Sequence, residues 1–159
     1  MNTQHLQIRK ATLNDLTTLK QFEQELIKYE RPFAPNLKDD PISYYHIEDF
    51  IISNDAQLLV AVINNELVGS GYALIKNSAS YKKPDQFAYL GFMYVSPNHR
   101  GKGINGKLTH ELITWAATQG ISEIQLDVYA NNSSAINAYK KIGLQPDLLK
   151  MRMEINDNK

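Results

Sequence analysis

The sequence contains no cysteine. Disulfides, thiolate metal sites and a cysteine nucleophile are therefore excluded, and the composition fits a reducing compartment, so the expected location is cytoplasmic. Net charge is lacking too, because 17 Lys and Arg offset 17 Asp and Glu. A neutral chain gives no electrostatic case for nucleic acid or an anionic membrane as partner. No apolar run approaches the roughly 18 residues of a membrane span. The start, MNTQHLQIRK, has no long apolar stretch, so no signal peptide is expected. The four histidines (His5, His46, His99 and His110) are scattered, with no H-x-x-x-H spacing and no paired acids. No metal site is expected from them.

What remains is ordinary globular material. A chain of 159 residues, 43% hydrophobic and 21% charged, has the size and composition of one packed domain over 1–159. Leu6 to Arg9 reads as a first strand. Thr12 and Asp15 have capping-box spacing ahead of Leu16, Leu19, Phe22, Leu26 and Tyr29, an apolar stripe at helical period. Pro32, Pro35 and Pro41 mark a loop, and a short helix is predicted over about Tyr44 to Ser53. Gln57 to Ile63 is nearly all apolar, as in a strand buried on both faces, and Asn64-Asn65 is a tight turn into a second strand, Leu67 to Ile75. After a polar loop, Phe87 to Val95 is a third strand, interrupted by Gly91.

A helix follows with Ile104, Leu108, Leu112, Trp115 and Ala116 on one face and Gly120 as its stop. Ile124 to Tyr129 is a strand, Asn132 to Ile142 a helix ended by Gly143, and Leu148 to Ile155 a closing strand. The order predicts a mixed α/β or α+β domain. An antiparallel meander comes first, and helix-crossover pairing occurs only in the second half.

The chemistry concentrates on Arg100-Gly101-Lys102-Gly103-Ile104-Asn105-Gly106, between a strand and a helix. The first helical N–H groups lack intrahelical partners and the helix dipole adds positive charge, so such a turn makes an anion site. Glycine lets the backbone approach a phosphate and adopt positive φ. Arg100 and Lys102 add full charges. Three phosphate patterns nearly fit. Gly101, Gly103 and Gly106 satisfy G-x-G-x-x-G, and Asp127 stands about 20 residues on, as the dinucleotide fingerprint asks. However, Ser96 to Arg100 separate these glycines from the strand, and too little chain follows Asp127 for repeated βαβ units. Gly101, Gly106 and Lys107 match G-x-x-x-x-G-K-[ST] except that Leu108 replaces the Mg²⁺-binding hydroxyl.

The third pattern is a family resemblance. Val95-Ser96-Pro97-Asn98-His99-Arg100-Gly101-Lys102-Gly103-Ile104 resembles the coenzyme A loop of the GNAT superfamily of N-acetyltransferases. The pattern there is [Q/R]-x-x-G-x-[G/A] after a strand ending in Val-x-Pro. Arg100 and Gly103 match, Asn105 stands where Gly or Ala is usual, and Gly106 follows one place late. A second element, Asn132-Ser-Ser-Ala135-Ile-Asn-Ala138-Tyr139-Lys-Lys-Ile-Gly143-Leu144, is similar to the family's N-x-x-A-x-x-x-Y-x-x-x-G-F, with Leu144 for Phe.

The resemblance implies a GNAT-like central mixed sheet with helices on both faces. It also implies transfer of an acetyl group from acetyl-CoA, as co-substrate, to an amine by direct attack, with Tyr139 as the acid that protonates the leaving thiolate. Tyrosine, with a pKa of about 10, can serve a thiol of about 8.5. Asn132 is either a plain helix cap or a cap that also binds the pantetheine arm, with Ala135 beside it. By the same resemblance the arm lies along Met93, Tyr94 and Val95, using free backbone groups like an added strand. Gly91 is a candidate bulge.

One part is missing. Many members carry a carboxylate on the strand that ends in Val-x-Pro, and Tyr89-Leu90-Gly91-Phe92-Met93-Tyr94 has none. Asp127, Glu23, Glu48, His46 or a water chain are the candidates for the base. A non-catalytic acyl-CoA-binding module is the alternative this gap keeps open. The aromatic residues Tyr44, Tyr45, Phe87, Tyr89, Phe92 and Tyr94 are core candidates, some of which can line an acceptor pocket. The acceptor amine is not readable, and a homodimer is among the oligomeric states left open.

Overall fold

The computed structural model describes residues 5–156. The chain divides into two compact units, Met1–Asp127 and Val128–Lys159. The first unit is built on a five-stranded sheet in sequential order. Its strands are β1 (Leu6–Lys10), β2 (Ala56–Ile63), β3 (Glu66–Asn77), β4 (Gln86–Val95) and β5 (Ile124–Leu126). The first three pairings are antiparallel and only β4 with β5 is parallel, which is the mixed sheet the sequence order predicts. Asn64 and Asn65 both take left-handed φ, 52° and 64°, in the β2–β3 turn. Two left-handed residues are what a two-residue hairpin requires.

Helices cover both faces. On one face α1 (Leu16–Glu30) and α2 (Ile47–Ile52) pack Leu19, Phe22, Leu26, Ile47 and Ile51 against Leu58, Val60, Tyr72, Phe92 and Tyr94. On the other, α3 (Ile104–Thr118) packs Ile104, Leu108 and Leu112 against Leu59, Ala61, Ala73 and Leu90. That helix crosses β3 over two glycines. A Cβ on Gly69 would lie 3.3 Å from the Leu108 Cδ1, and one on Gly71 would lie 3.3 Å from the Leu112 Cδ1. Ahead of α1 the predicted capping box forms. The Asp15 carboxylate accepts from Thr12 N at 2.8 Å and also binds Arg9, at 2.8 and 3.0 Å.

The second unit contains α4 (Ser133–Ile142). Ala135, Ala138, Tyr139 and Ile142 are its half-buried residues along with Ile136, while Asn137, Lys140 and Lys141 are exposed. The predicted strand over Leu148 to Ile155 does not form. Residues 143–156 have no regular structure, and Leu148, Leu149, Met151, Met153 and Ile155 are exposed. The alternation of apolar residues is real, but a strand needs a neighbouring ladder to satisfy its backbone, and no other strand lies within this unit among the described residues. The strand predicted over Ile124 to Tyr129 likewise stops at Leu126.

Candidate active site

The loop that joins β4 to α3 begins as a short 3₁₀ turn over Pro97–His99. Gly101 and Gly103 then take φ of 77° and 80°, which L side chains rarely adopt. Gly103 is the N-cap of α3, and its carbonyl accepts Lys107 N at 3.1 Å. The N–H groups of Ile104, Asn105 and Gly106 therefore fall in the first turn, where the helix itself supplies no acceptors. A Cβ added at Gly101, Gly103 or Gly106 would meet nothing within 4 Å. Packing does not require these glycines. At Gly106, which has ordinary φ, glycine inside a helix costs about 1 kcal/mol relative to alanine, and what it leaves in return is open space in front of the backbone.

Arg100 does not point out along the loop. Its Nε donates to the Val95 carbonyl at 2.9 Å, and the guanidinium lies 5.7 Å from the Tyr29 ring and 5.9 Å from the Tyr94 ring. Its charge is thus fixed over the end of β4, on the α1 side. Lys102 is exposed, and the Asn105 carbonyl accepts the Thr109 hydroxyl at 2.8 Å. His99 is half-buried.

Upstream, the sheet opens. Opposite Tyr72 and Ser70 on β3 stand Gly91 and Tyr94 on β4, so β4 carries one extra residue in this interval. The bulge reverses the side-chain alternation. Tyr89 shares a face with Phe92 and Tyr94, while Leu90 shares the opposite face with Met93 and Val95. The left-handed residue is Phe92, at φ 55°, and not Gly91. A bulky residue there is strained by about 1–3 kcal/mol. Burial against Tyr45, with ring centroids 5.0 Å apart, holds Phe92, and the buried Ser70 hydroxyl donates to its carbonyl at 3.0 Å. Gly91 serves a different purpose, because a Cβ there would lie 2.5 Å from the Tyr72 ring.

β5 pairs with β4 only over Ala88–Leu90. From Gly91 to Val95, the side of β4 away from β3 therefore has no strand partner among the described residues. Met93, Tyr94 and Val95 lie on this stretch. The Tyr94 side chain is core, tilted 4.6 Å from Phe22, so the backbone is what this residue can offer.

An aromatic cluster flanks the bulge on the α1/α2 face. Tyr72 stacks on Phe50 at 4.1 Å and meets Tyr45 edge-on at 5.7 Å and Tyr89 at 6.4 Å. Burial, with the charge of Asp127 added, pushes the Tyr72 phenol up to about 12. Burial also raises the Tyr45 and Tyr89 phenols well above the ordinary tyrosine value. All three therefore stay protonated at neutral pH. Glu30, at the end of α1, has its carboxyl raised by burial, an effect the Tyr44 side chain partly offsets. The sequence reading named Tyr45, Tyr89 and Phe92 but missed Tyr72, Phe50, Glu30 and Ser70. One signal was available for Ser70, a lone hydroxyl between glycines in an apolar strand.

The remaining site residues lie in the second unit. The Asn132 side chain accepts Ala135 N at 3.3 Å, so it is a helix cap, and Tyr139 is half-buried on α4. Of the base candidates, Glu23 is committed elsewhere. Its buried carboxylate accepts Tyr44 N at 2.7 Å and Tyr45 N at 2.8 Å, tying the loop before α2 to α1. Glu48 and His46 are exposed at the start of α2. Asp127 accepts the Tyr89 hydroxyl at 3.1 Å. Among the described residues, no group of three His, Asp or Glu could hold a metal ion, and no helix is long and apolar enough to cross a membrane.

Residues 21–144 match the model of the acetyltransferase (GNAT) family, and the chain belongs to that family. It is 39% identical over 57 residues to thialysine N-epsilon-acetyltransferase of Mus musculus, covering 36% of this chain and 34% of the relative. It is 30% identical over 113 residues to streptothricin acetyltransferase of Escherichia coli, covering 71% of this chain and 58% of the relative. The matches thus span between about a third and three-fifths of those relatives' own lengths. The fold matches a predicted acetyltransferase with acetyl-CoA from Clostridium acetobutylicum at a TM-score of 0.76. Identity to it is 21%, over 94% of this chain and 96% of that one.

Proposed function

We propose that the chain, acting as one acyltransferase domain over 1–159, moves an acetyl group from acetyl-CoA to a primary amine of a small molecule or peptide. The observation that carries this reading is the unpaired edge of β4 from Gly91 to Val95 running into a left-handed glycine loop at a helix N-terminus. An extended pantetheine arm suits the former and a pyrophosphate the latter. In this reading Met93, Tyr94 and Val95 offer backbone groups to the arm. Arg100, Gly101, Lys102, Gly103, Ile104, Asn105 and Gly106 hold the pyrophosphate. Asn132 and Ala135 are assigned to the arm by the family resemblance.

The amine nitrogen attacks the thioester carbonyl directly, since the chain has no cysteine to form an acyl intermediate. The N–C bond forms and the C–S bond breaks. Tyr139 gives the departing sulfur its proton. The named activities of the thialysine and streptothricin relatives support an amine acceptor.

The test is thiol release from acetyl-CoA against a panel of thialysine, lysine, streptothricin, an aminoglycoside and a lysine-containing peptide. Amine-dependent release with at least one acceptor is expected. The absence of a carboxylate among Tyr89, Phe92 and Tyr94 favours one rival, a non-catalytic acyl-CoA-binding module. Tight acetyl-CoA binding without turnover of any amine would decide for that rival.

A further inference from the structure

The acid absent from β4 is present beside it. β5 runs parallel to β4 with Tyr89 opposite Gln125 and Leu90 opposite Leu126. The next residue on β4 is Gly91 and the first residue past the end of β5 is Asp127, so Asp127 arrives where the pairing ends and the bulge begins. Tyr89 stands on the α1/α2 face of β4 and does not carry a charge. Its hydroxyl reaches across to donate to Asp127 Oδ2 at 3.1 Å. A carboxylate is thereby fixed at the split in the sheet, although no residue of β4 supplies one.

We propose that Asp127 is the general base for the acceptor amine, with Tyr89 as the positioning residue that holds Oδ2 and leaves Oδ1 to the amine. This rests on the reading of the chain as an amine acetyltransferase. The other ionisable groups around this point do not compete for the role. Tyr89 on β4, Tyr72 on β3 and Tyr45 ahead of α2 are phenols kept neutral by burial. The Lys76 Nζ, also from β3, lies over the Tyr89 ring, 4.6 Å from its centroid. Glu30 on α1 acts on Tyr44 and Tyr45.

The proton balance closes. The acceptor arrives as an ammonium and loses one proton to Asp127, which passes it to water. The free amine attacks the thioester, and the second proton leaves the nitrogen by the same route as the C–S bond breaks. The sulfur takes one proton from Tyr139, which recovers it from water. The products are an amide, a thiol and one net proton.

Asp127→Asn keeps the shape of the side chain and its contact with Tyr89. With the fastest acceptor of the panel above, kcat/KM at pH 7 is expected to fall about 10²-fold, the lower end of general-base effects. Acetyl-CoA affinity should be unchanged. The deficit should shrink as pH rises toward the pKa of the amine, because the nucleophile then arrives already deprotonated. Tyr89→Phe is expected to lower kcat/KM about tenfold with acetyl-CoA affinity unchanged, since Oδ2 loses the donor that holds it, and this deficit should shrink with rising pH as it does in Asp127→Asn.

Wild-type kcat/KM in Asp127→Asn across the pH range would overturn the proposal. So would a defect confined to KM and constant with pH, which would make Asp127 an anchor for charge only. A wild-type chain that binds acetyl-CoA and acetylates no member of the panel would instead overturn the enzymatic reading on which the proposal stands.

Discussion

The glycine loop and the aromatic cluster flank the same bulge in β4 but are made of different material. The loop is backbone. Gly101 and Gly103 sit at positive φ, the first turn of α3 presents N–H groups, and a Cβ on any of the three loop glycines would meet open space. The cluster is side chain. Tyr45, Phe50, Tyr72, Tyr89 and Asp127 come from α2, the loop before it, two strands and the end of a third. A backbone cradle suits a co-substrate whose phosphates are always the same. A side-chain cluster can change residue by residue and so suits an acceptor that differs between relatives. Changes on one side should therefore leave the other side's ligand largely unaffected.

Substitutions can break or sharpen that contrast. The largest expected effect is Tyr139→Phe, which on the proposed mechanism removes the proton for the departing sulfur. Steady-state kinetics should show kcat lower by about 10² to 10³-fold where chemistry limits the rate, with acetyl-CoA affinity retained. An unchanged kcat would remove Tyr139 from the mechanism.

Gly91→Ala comes next. Its Cβ would stand 2.5 Å from Tyr72 ring atoms, so the ring must move. Overpacking of this kind costs about 1–3 kcal/mol, measurable by urea unfolding. The contrast predicts a raised KM for the amine with the dissociation constant of acetyl-CoA unchanged. Gly103→Ala is the mirror image. A side chain at φ 80° costs about 1–2 kcal/mol, so titration should show acetyl-CoA bound about tenfold more weakly, with the KM of the amine unchanged.

The smallest effect lies away from both regions and serves as a control. Arg9, through its hydrogen bonds, holds the Asp15 carboxyl below its usual value. The stability this gives is present above the unfolded carboxyl pKa of about 4 and is lost as pH falls through the lowered folded value. Asp15→Asn should cost about 1 kcal/mol at pH 7, and less as pH is lowered below 4. Catalysis at pH 7 should be untouched.

The same contrast explains what the sequence could reveal. A backbone-built site needs glycines at fixed spacing in one continuous stretch, so Arg100 to Gly106 is visible by eye. Helix periodicity and the apolar run of β2 likewise placed most elements to within a few residues. The proposed acceptor side depends on register. Tyr89 meets Asp127 because β4 and β5 pair in parallel for three residues, and no local pattern contains that fact. Gly91 did mark the bulge, but the strained residue is its neighbour Phe92, since what the glycine provides is room for the Tyr72 ring. Leu148 to Ile155 misled for a related reason, because its alternation is that of a strand and pairing is not encoded in a segment by itself. Asp127 fell at a dinucleotide-like distance from the glycines. Its place at the end of β5, one residue past the last β4 pair, gives it a different meaning.

The central claim is that the loop Arg100 to Gly106 holds acetyl-CoA. Calorimetric titration of acetyl-CoA, NADH and ATP into the wild-type chain and into Gly103→Ala tests it most directly. The account predicts binding of acetyl-CoA alone, weakened about tenfold by the loop substitution. Binding of NADH or ATP without acetyl-CoA, or acetyl-CoA affinity indifferent to Gly103→Ala, would contradict it.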